Sequence, residues 1–587
     1  MITCFCKNCN QEYNPNGLTG ADSTCPYCGE RAEVRSTLFW CSHCNIPIYD
    51  KTCPICNSEG DRFTSDARPV FPEERLLIEI LMDKPLEYLG KSVWNGTGNR
   101  YYVDGKKISF SISEMNKHDP ATVSAKIKQY SSQNTYDAFN RMIDLWVDAN
   151  KDRYHHINDE ARAYIAKKAS NYENDETCAM FVSFSGGKDS TVVSDLVRKA
   201  IGKPDIIHIF GNTTLEFPET YDYIQRFKKE NPRTPVLRAE NREQDFYNLC
   251  DVFGPPSRSL RWCCTIFKTG FIGDKIKRTF GDKKRVLTFY GIRRNESASR
   301  SLYERSSEGR KIVKQLVASP IIDWFDYDIW LYLLTTRIDF NRSYRLGYTR
   351  VGCWCCPNNT PWAQYLSKIY MPSQSKRFEE MIIDFAKKIG KTDPEEYAHS
   401  GGWKARQGGA GIELSKNVAI DFKPCATDAK SFNYTLNKPI TEELYEFFKP
   451  FGTLNFEMGK SRLGEVFILD SRSNQPVIKL QGRIGSRDLR ITILGTPIAD
   501  RTKTVEIELK FKCQITKYQL CAGCHACENT CRFNAIRLSK NGPADTDYQY
   551  IIDEAKCVHC YECINHYPGG CYMRRVLLPR GKGYVEK

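Results

Sequence analysis

The chain has 587 residues, 41% hydrophobic and 27% charged, with a formal net charge of +14 that suits an anionic partner and equally suits a bland basic surface. That length exceeds one core, so about three to five domains are expected, and no run of about 18 uncharged apolar residues offers a membrane span. The 26 cysteines fall mostly in CxxC pairs behind an N-terminus, "MITCFCKNCN", that lacks the apolar core of a secretion signal; they predict metal centres in a reducing cytoplasm and argue against a disulfide framework.

Residues 1–62 hold two four-cysteine sets, Cys6, Cys9, Cys25 and Cys28, then Cys41, Cys44, Cys53 and Cys56. CxxC pairs set 15 and 8 residues apart suit two zinc ribbons, each a closed Cys4 shell with a structural role. Residues 63–176 mix a strand-like stretch, "NRYYVDGKKISFSI", with helical patterns such as "AFNRMIDLWVDANKD", and no chemistry can be assigned to them.

Residues 177–400 alternate apolar strand-like runs with helical periods, the pattern of a parallel sheet. The strand candidates are "AMFVSF", "DIIHIFG", "TPVLRA" and "RVLTFYGI". The first runs into "SGGKDS", Ser185, Gly186, Gly187, Lys188, Asp189 and Ser190, and then into a helix. Such a strand–turn–helix corner aims backbone N–H groups and the helix dipole at an anion. The glycines allow close approach, Lys188 adds a point charge, and Asp189 suits Mg2+. The corner lacks the spacing of a Walker loop. After "VLTFYG" come Arg293, Arg294, Glu296 and Arg300, guanidinium groups suited to phosphate or sulfate oxygens, with Glu296 placed to orient them.

The hexapeptide resembles the signature of the PP-loop ATP pyrophosphatase superfamily, which adenylates substrates by splitting ATP between its α and β phosphates. "GNTTLEFPETYDYIQRF" (211–227), "GIRRNESASR" (291–300) and "PIIDWFDYDIWLYL" (320–333) are similar, in order, to elements of the phosphoadenosine phosphosulfate (PAPS) reductase family. The resemblance implies an α/β, adenine nucleotide alpha hydrolase-like domain in which Ser185–Ser190, Arg293, Arg294, Glu296 and Arg300 bind nucleotide, and Lys188, Asp189, Arg293 and Arg300 act in catalysis. Two departures stand out. Family members that act on a ready-made phosphosulfate have a degenerate loop, whereas here SGGKDS is intact, and the ECGLH element with the reductases' nucleophilic cysteine does not occur. Both point toward the ATP-using relatives, including the sulfur-inserting enzyme of DNA phosphorothioation; transfer RNA thiolases also combine a PP-loop with zinc fingers and a cluster.

Within the same domain 88 residues separate the pair Cys263 and Cys264 from Cys353, Cys355 and Cys356. The CC…CxxC arrangement resembles the [4Fe–4S] site of adenylylsulfate reductases. It implies a third cluster on Cys263, Cys264, Cys353 and Cys356, with Cys355 as a spare or sulfur-carrying thiol; zinc or a redox thiol pair are the rival occupants. The glycine-rich "HSGGWKARQGGAGI" reads as a linker or flexible loop. Residues 413–512, with "GEVFILD", "VIKLQGRI", "LRITILG" and "TVEIELKFK", predict a small α+β domain.

Residues 513–587 carry Cys521, Cys524, Cys527 and Cys531 at the C-x2-C-x2-C-x3-C spacing of a bacterial ferredoxin, and a second run, Cys557, Cys560, Cys563 and Cys571. By the crossed rule Cys521, Cys524, Cys527 and Cys571 hold one [4Fe–4S] cluster, and Cys557, Cys560, Cys563 and Cys531 the other. Cys4, Cys178, Cys250, Cys425 and Cys513 lack partners by spacing and are expected to be ordinary buried thiols.

The combined expectation is an enzyme that binds ATP with Mg2+, adenylates a substrate and transfers sulfur with electrons from its ferredoxin domain. Its partners would be a nucleic acid (DNA or tRNA) or metabolite acceptor, a sulfur donor such as a cysteine desulfurase, and an electron donor protein. A sulfonucleotide reductase releasing sulfite is the second reading. A non-catalytic, redox-sensing nucleic-acid-binding protein is the third.

Overall fold

A computed structural model describes residues 2–13, 25–30, 32–172, 175–297, 300–308, 315–406, 421–428, 430–495, 501–542, 548–565 and 572. The chain divides into two compact units, 1–239 with 275–376, and 240–274 with 377–587. No helix among the described residues is long and apolar enough to cross a membrane.

The first unit opens with two small cysteine domains. In one, β1 (Ile2–Cys6) lies between β2 (Gln11–Tyr13) and β3 (Glu33–Ser36); in the other, β4 (Phe39–Cys41) lies between β5 (Ile46–Ile48) and β6 (Asp61–Arg62). A third sheet orders β10 (Lys106–Lys107), β9 (Arg100–Val103), β8 (Val93–Gly96) and β7 (Ala67–Pro69), all antiparallel. Helices α1 (Pro72–Leu81), α2 (Pro120–Tyr130), α3 (Asp137–Ala149) and α4 (Lys151–Ser170) accompany it. On α3, Phe139, Ile143, Trp146 and Ala149 are buried, the 3–4 spacing of one helical face.

The central sheet follows. Strand β11 (Cys178–Ser183) leads into α5 (Lys188–Ile201), β12 (Ile207–Asn212) into α6 (Pro218–Glu230), and β13 (Val236–Glu240) into α7 (Phe246–Phe253) and α8 (Gly270–Phe280). Then come β14 (Arg285–Phe289), β15 (Ser306–Glu308), β16 (Gln315–Ala318) and α9 (Asp326–Thr336). The order is β13-β12-β11-β14-β16-β15. Strand β11 pairs in parallel with β12 and β14, and β14 with β16, while β15 is an antiparallel edge. All four strand candidates fall on sheet strands.

Segment 63–176 is a buttress of this sheet. Trp146 donates to the Tyr327 hydroxyl at 2.9 Å, and Arg153 grips Asp328 with two bonds of 2.9 Å. Trp146, Ile157 and Ile165 share one core with Val182, Leu196, Phe289 and Trp330.

In the second unit an antiparallel sheet orders β17 (Asp421–Pro424), β18 (Ser431–Thr435), β22 (Asp488–Ile493), β21 (Pro476–Gln481), β20 (Glu465–Leu469) and β19 (Thr453–Asn455). The ribbon β23 (Ile536–Lys540) with β24 (Tyr548–Ile552) belongs to the cysteine-rich end. Two expectations need correction. "TVEIELKFK" alternates like a strand but lies in the helix Arg501–Leu520, which crosses the anticipated boundary at 512. Good helix formers and the Glu508–Lys512 pair at 2.7 Å support the helix. Burial of Phe511, Cys513, Ile515 and Tyr518 decides it, at the cost of leaving Leu509 exposed. The glycine-rich linker is also packed where described: Trp403 is buried, and Arg406 donates to the Phe253 and Pro255 carbonyls at 2.8 and 2.7 Å.

Candidate functional site

The corner after β11 is held by its own side chains. The Ser190 hydroxyl accepts from the Ser185 backbone at 3.2 Å and donates to the Gly187 carbonyl at 2.9 Å. Gly186 adopts φ +72°, and a Cβ there would stand 3.0 Å from Thr220 of α6. Asn341 donates to the Gly186 carbonyl at 3.2 Å and to Thr220 at 2.8 Å, tying the corner to the FPET segment. The Lys188 backbone donates to the Tyr344 hydroxyl at 3.0 Å.

The charged groups converge here. The buried Lys188 ammonium lies 3.3 Å from both Asp189 and Asp326. Arg293, also buried, places Nε 2.5 Å from Asp189 and a terminal nitrogen 2.6 Å from Asp326. Burial alone would neutralise both acids. Against it, Arg293 and Lys188 hold Asp189 below its usual range, and Lys188, Arg293 and Arg68 hold Asp326 at about 2. Burial also works against Lys188, yet the two carboxylates raise it. Two cations suited to phosphate oxygens and two ionised carboxylates suited to Mg2+ therefore gather at the N-termini of α5 and α9.

Arg294 has a different place. It donates to the Tyr303 carbonyl at 3.0 Å and pairs with Asp323, so it anchors the segment before α9. Glu296 pairs with Arg300 and lies 4.0 Å from Arg293. Arg300 is held below its usual value by burial first and then by the like charge of Arg350. Two neighbouring guanidinium groups of this kind suit a polyanion. Arg350, Tyr344, Asp326 and Asp66 were missed by motif reading. The Asp66 carboxylate accepts the Asp326 and Tyr327 backbone N–H groups at 3.0 and 2.9 Å and so caps α9. Burial and then the Asp326 charge push it up to about 7.

The N-terminal sets are brought together as the spacing expects. Sulfurs pair at 3.6 and 3.7 Å in the first set (Cys6–Cys28, Cys9–Cys25) and at 3.4 and 3.7 Å in the second (Cys41–Cys56, Cys44–Cys53). Four thiolates about 2.3 Å from one zinc ion would stand about 3.8 Å apart, so the residues fit that ion. Asn10, Gly29, Asn45 and Asn57, each next after a CxxC pair, have φ between 52° and 73°, the left-handed turn of a metal knuckle. Among the described residues only these two sets gather three or more metal-ligand atoms within 4.8 Å.

At the C-terminal end, Cys531, Cys557, Cys560 and Cys563 line one cavity, and Cys521, Cys524 and Cys527 line another. Cys571 lies outside the described residues, but its neighbour Tyr572 lines the second cavity. In both runs the residues flanking the second cysteine, Gly523 and His525, then His559 and Tyr561, take φ between 54° and 59°. The two loops thus have one fold, and wider-spaced thiols around a cavity fit an iron–sulfur cube.

Of the central cysteines, Cys263 and Cys264 belong to the second unit, at the head of the π-helical turn Cys264–Thr269. Cys353 and Cys356 belong to the first. There Cys353 bridges to Glu216 in the FPET segment, and the Trp354 N–H donates to the Leu215 carbonyl at 3.0 Å. Cys355 is buried. Cys4, Cys250 and Cys513 are buried as expected, whereas Cys178 and Cys425 are partly exposed.

The phosphoadenosine phosphosulfate reductase domain matches residues 179–359, and the 4Fe-4S dicluster domain matches residues 520–570. An uncharacterized protein of Methanocaldococcus jannaschii is 32% identical over 284 residues, which cover 48% of this chain and 57% of that protein. The chain covers 50% of a second protein from that organism, so it spans about half the length of these relatives. The adenosine 5'-phosphosulfate reductase of Staphylococcus epidermidis is 30% identical over 209 residues, 34% of this chain and 79% of that enzyme. The structure of a PAPS reductase from Candida auris in a phosphate complex aligns with TM-score 0.26 and 15% identity, covering 34% of this chain and 96% of that one.

Proposed function

Through its central domain the chain belongs to the PAPS reductase family, and on that premise we propose that it is an ATP-dependent, iron–sulfur sulfurtransferase. The acceptor's oxygen would attack the α-phosphorus, and pyrophosphate would leave with its charge spread over Lys188, Arg293 and the Arg300–Arg350 pair. Asp189 and Asp326 would exchange their cations for Mg2+. A sulfur nucleophile would then displace AMP, breaking the acceptor's C–O bond, or the P–O bond of a phosphate acceptor, as the bond to sulfur forms. Cys263, Cys264, Cys353 and Cys356 would hold a third cluster and Cys355 a transferable sulfur, with zinc or a redox thiol pair as the rival use of these cysteines. The N-terminal sets would hold two Zn2+. The C-terminal clusters would supply, one at a time, the two electrons that cleave the disulfide left when a Cys355 persulfide is the nucleophile, releasing the thiolated product and the Cys355 thiolate. A nucleic acid or metabolite acceptor, a cysteine desulfurase and an electron donor protein complete the reading, in a reducing cytoplasm.

The observation that carries it is the pairing of Lys188 and Arg293 with Asp189 and Asp326 at an undegenerate SGGKDS corner. ATP–pyrophosphate exchange, run anaerobically with DNA, tRNA and small acceptors in turn, tests it; silence with all of them overturns adenylation. The likeness to adenosine 5'-phosphosulfate reductases favours one other reading, a sulfonucleotide reductase. Under it, adenylylsulfate or PAPS with a low-potential donor yields sulfite without ATP.

A further inference from the structure

The two cavities of the C-terminal domain have unlike surroundings within their own unit. The one lined by Cys521, Cys524 and Cys527 is covered by the segment that carries Cys263 and Cys264. Phe253 and Tyr572 line it, their rings 6.0 Å apart, and Phe253 also packs on Trp262, next to Cys263, at 5.4 Å. The Tyr572 hydroxyl donates to Thr265, next to Cys264, at 2.8 Å. Gln244 donates to the Gly523 carbonyl at 3.0 Å, and Glu243 meets His525 at 2.8 Å. Gly270 has no room for a Cβ because Asn529 stands 2.4 Å from where it would lie.

The other cavity faces outward among the described residues. Its Cys560 is exposed, and two large apolar side chains that line it, Phe533 and Val558, are 45% and 52% exposed. An apolar rim beside an accessible ligand thiol has the character of a redox-partner contact.

We propose that electrons enter on the Cys531, Cys557, Cys560 and Cys563 side, from a reduced low-potential one-electron carrier protein docked on Phe533 and Val558, and leave on the Cys521, Cys524 and Cys527 side toward Cys263 and Cys264. This rests on the reading that these cysteines hold clusters and that Cys263 and Cys264 belong to a third. Each transfer moves one electron and makes or breaks no bond, so two carrier molecules are oxidised per two-electron reduction.

The test uses the full chain, purified anaerobically, with reduced flavodoxin as the protein donor and dithionite as the small one. Iron is counted first. Roughly twelve irons per chain accords with three clusters, and roughly eight removes the central cluster and with it the exit step, while the entry side is still decided below. Cys524→Ser and Cys560→Ser each leave one ferredoxin cluster, identified by electron paramagnetic resonance. Flavodoxin should reduce Cys524→Ser at the wild-type rate and Cys560→Ser about tenfold more slowly, with dithionite reducing both alike. The third signal should stay oxidised in Cys524→Ser under flavodoxin. Phe533→Glu with Val558→Glu, which keeps every ligand, should slow flavodoxin about tenfold and dithionite not at all. Equal flavodoxin rates in the two cysteine variants, an unslowed double variant, or prompt reduction of the third signal in Cys524→Ser would overturn the proposal.

Discussion

Asp66 lies 260 residues before the helix it caps, and no motif marks it. Its carboxylate faces Asp326, with Arg293 also in reach, so its protonation bears on the charge cluster of Lys188, Asp189, Arg293 and Asp326. In the folded chain it keeps its proton to about 7, against 3.8 ordinarily. The native state therefore binds more protons than the unfolded one between those values, and this group's contribution to stability is lost as pH rises through 7. Asp66→Asn should flatten that loss, seen as a thermal midpoint less dependent on pH between about 4 and 7 than the wild type's. Lys188 is the simpler case. Lys188→Met removes a charge-assisted contact and should weaken ATP binding about 10- to 100-fold by calorimetry, with folding unchanged by circular dichroism.

At the scale of elements, the nucleotide corner depends on what packs beneath it. A Cβ on Gly291, just after β14, would stand 2.7 Å from the Asp189 backbone. Gly291→Ala should therefore cost about 1–3 kcal/mol in denaturant unfolding and misplace Lys188, weakening nucleotide binding as well. The run Asp323, Asp326 and Asp328 shows how one short segment serves three purposes: Asp323 holds Arg294, Asp326 holds Lys188 and Arg293, and Asp328 holds Arg153. The strands of the central sheet were legible because β-branched and aromatic runs alternate with helical periods. The helix Arg501–Leu520 was not, because Val505, Ile507, Leu509 and Phe511 happen to fall at period two, and only the burial of Phe511, Cys513, Ile515 and Tyr518 chooses between the two conformations.

On the scale of the whole molecule, the two N-terminal cysteine sets are unequal. The second lies in the main core of the first unit: Cys41 and Cys53 pack with Trp40, Trp94 and Trp146, and the Pro47 carbonyl accepts from Tyr327 at 3.1 Å. The first set has a small core of its own, with Cys4, Cys6, Cys25 and Ala32. Cys53→Ser should lower hydrogen-exchange protection in α3 and α9 at least about tenfold, whereas Cys25→Ser should affect residues 2–36 alone. In the second unit the antiparallel sheet and the ferredoxin ribbon are likewise one core, since Phe432, Ile491, Phe511, Ile536 and Tyr550 belong to a single cluster. Segment 413–512 and the dicluster domain are therefore expected to unfold together.

Local chemistry was enough to identify the corner at Ser185–Ser190, the zinc-type sets and the ferredoxin cysteines. Within each run these residues are close in sequence, and spacing carries the local geometry, while Cys531 reaches across to the cavity of the second ferredoxin run. The partners of Lys188 and Arg293 at Asp326, the Arg350 beside Arg300, and the cap from Asp66 were decided only by the tertiary structure. Those contacts join residues far apart in the chain, where burial turns an ordinary surface charge into a paired one and leaves no local pattern behind.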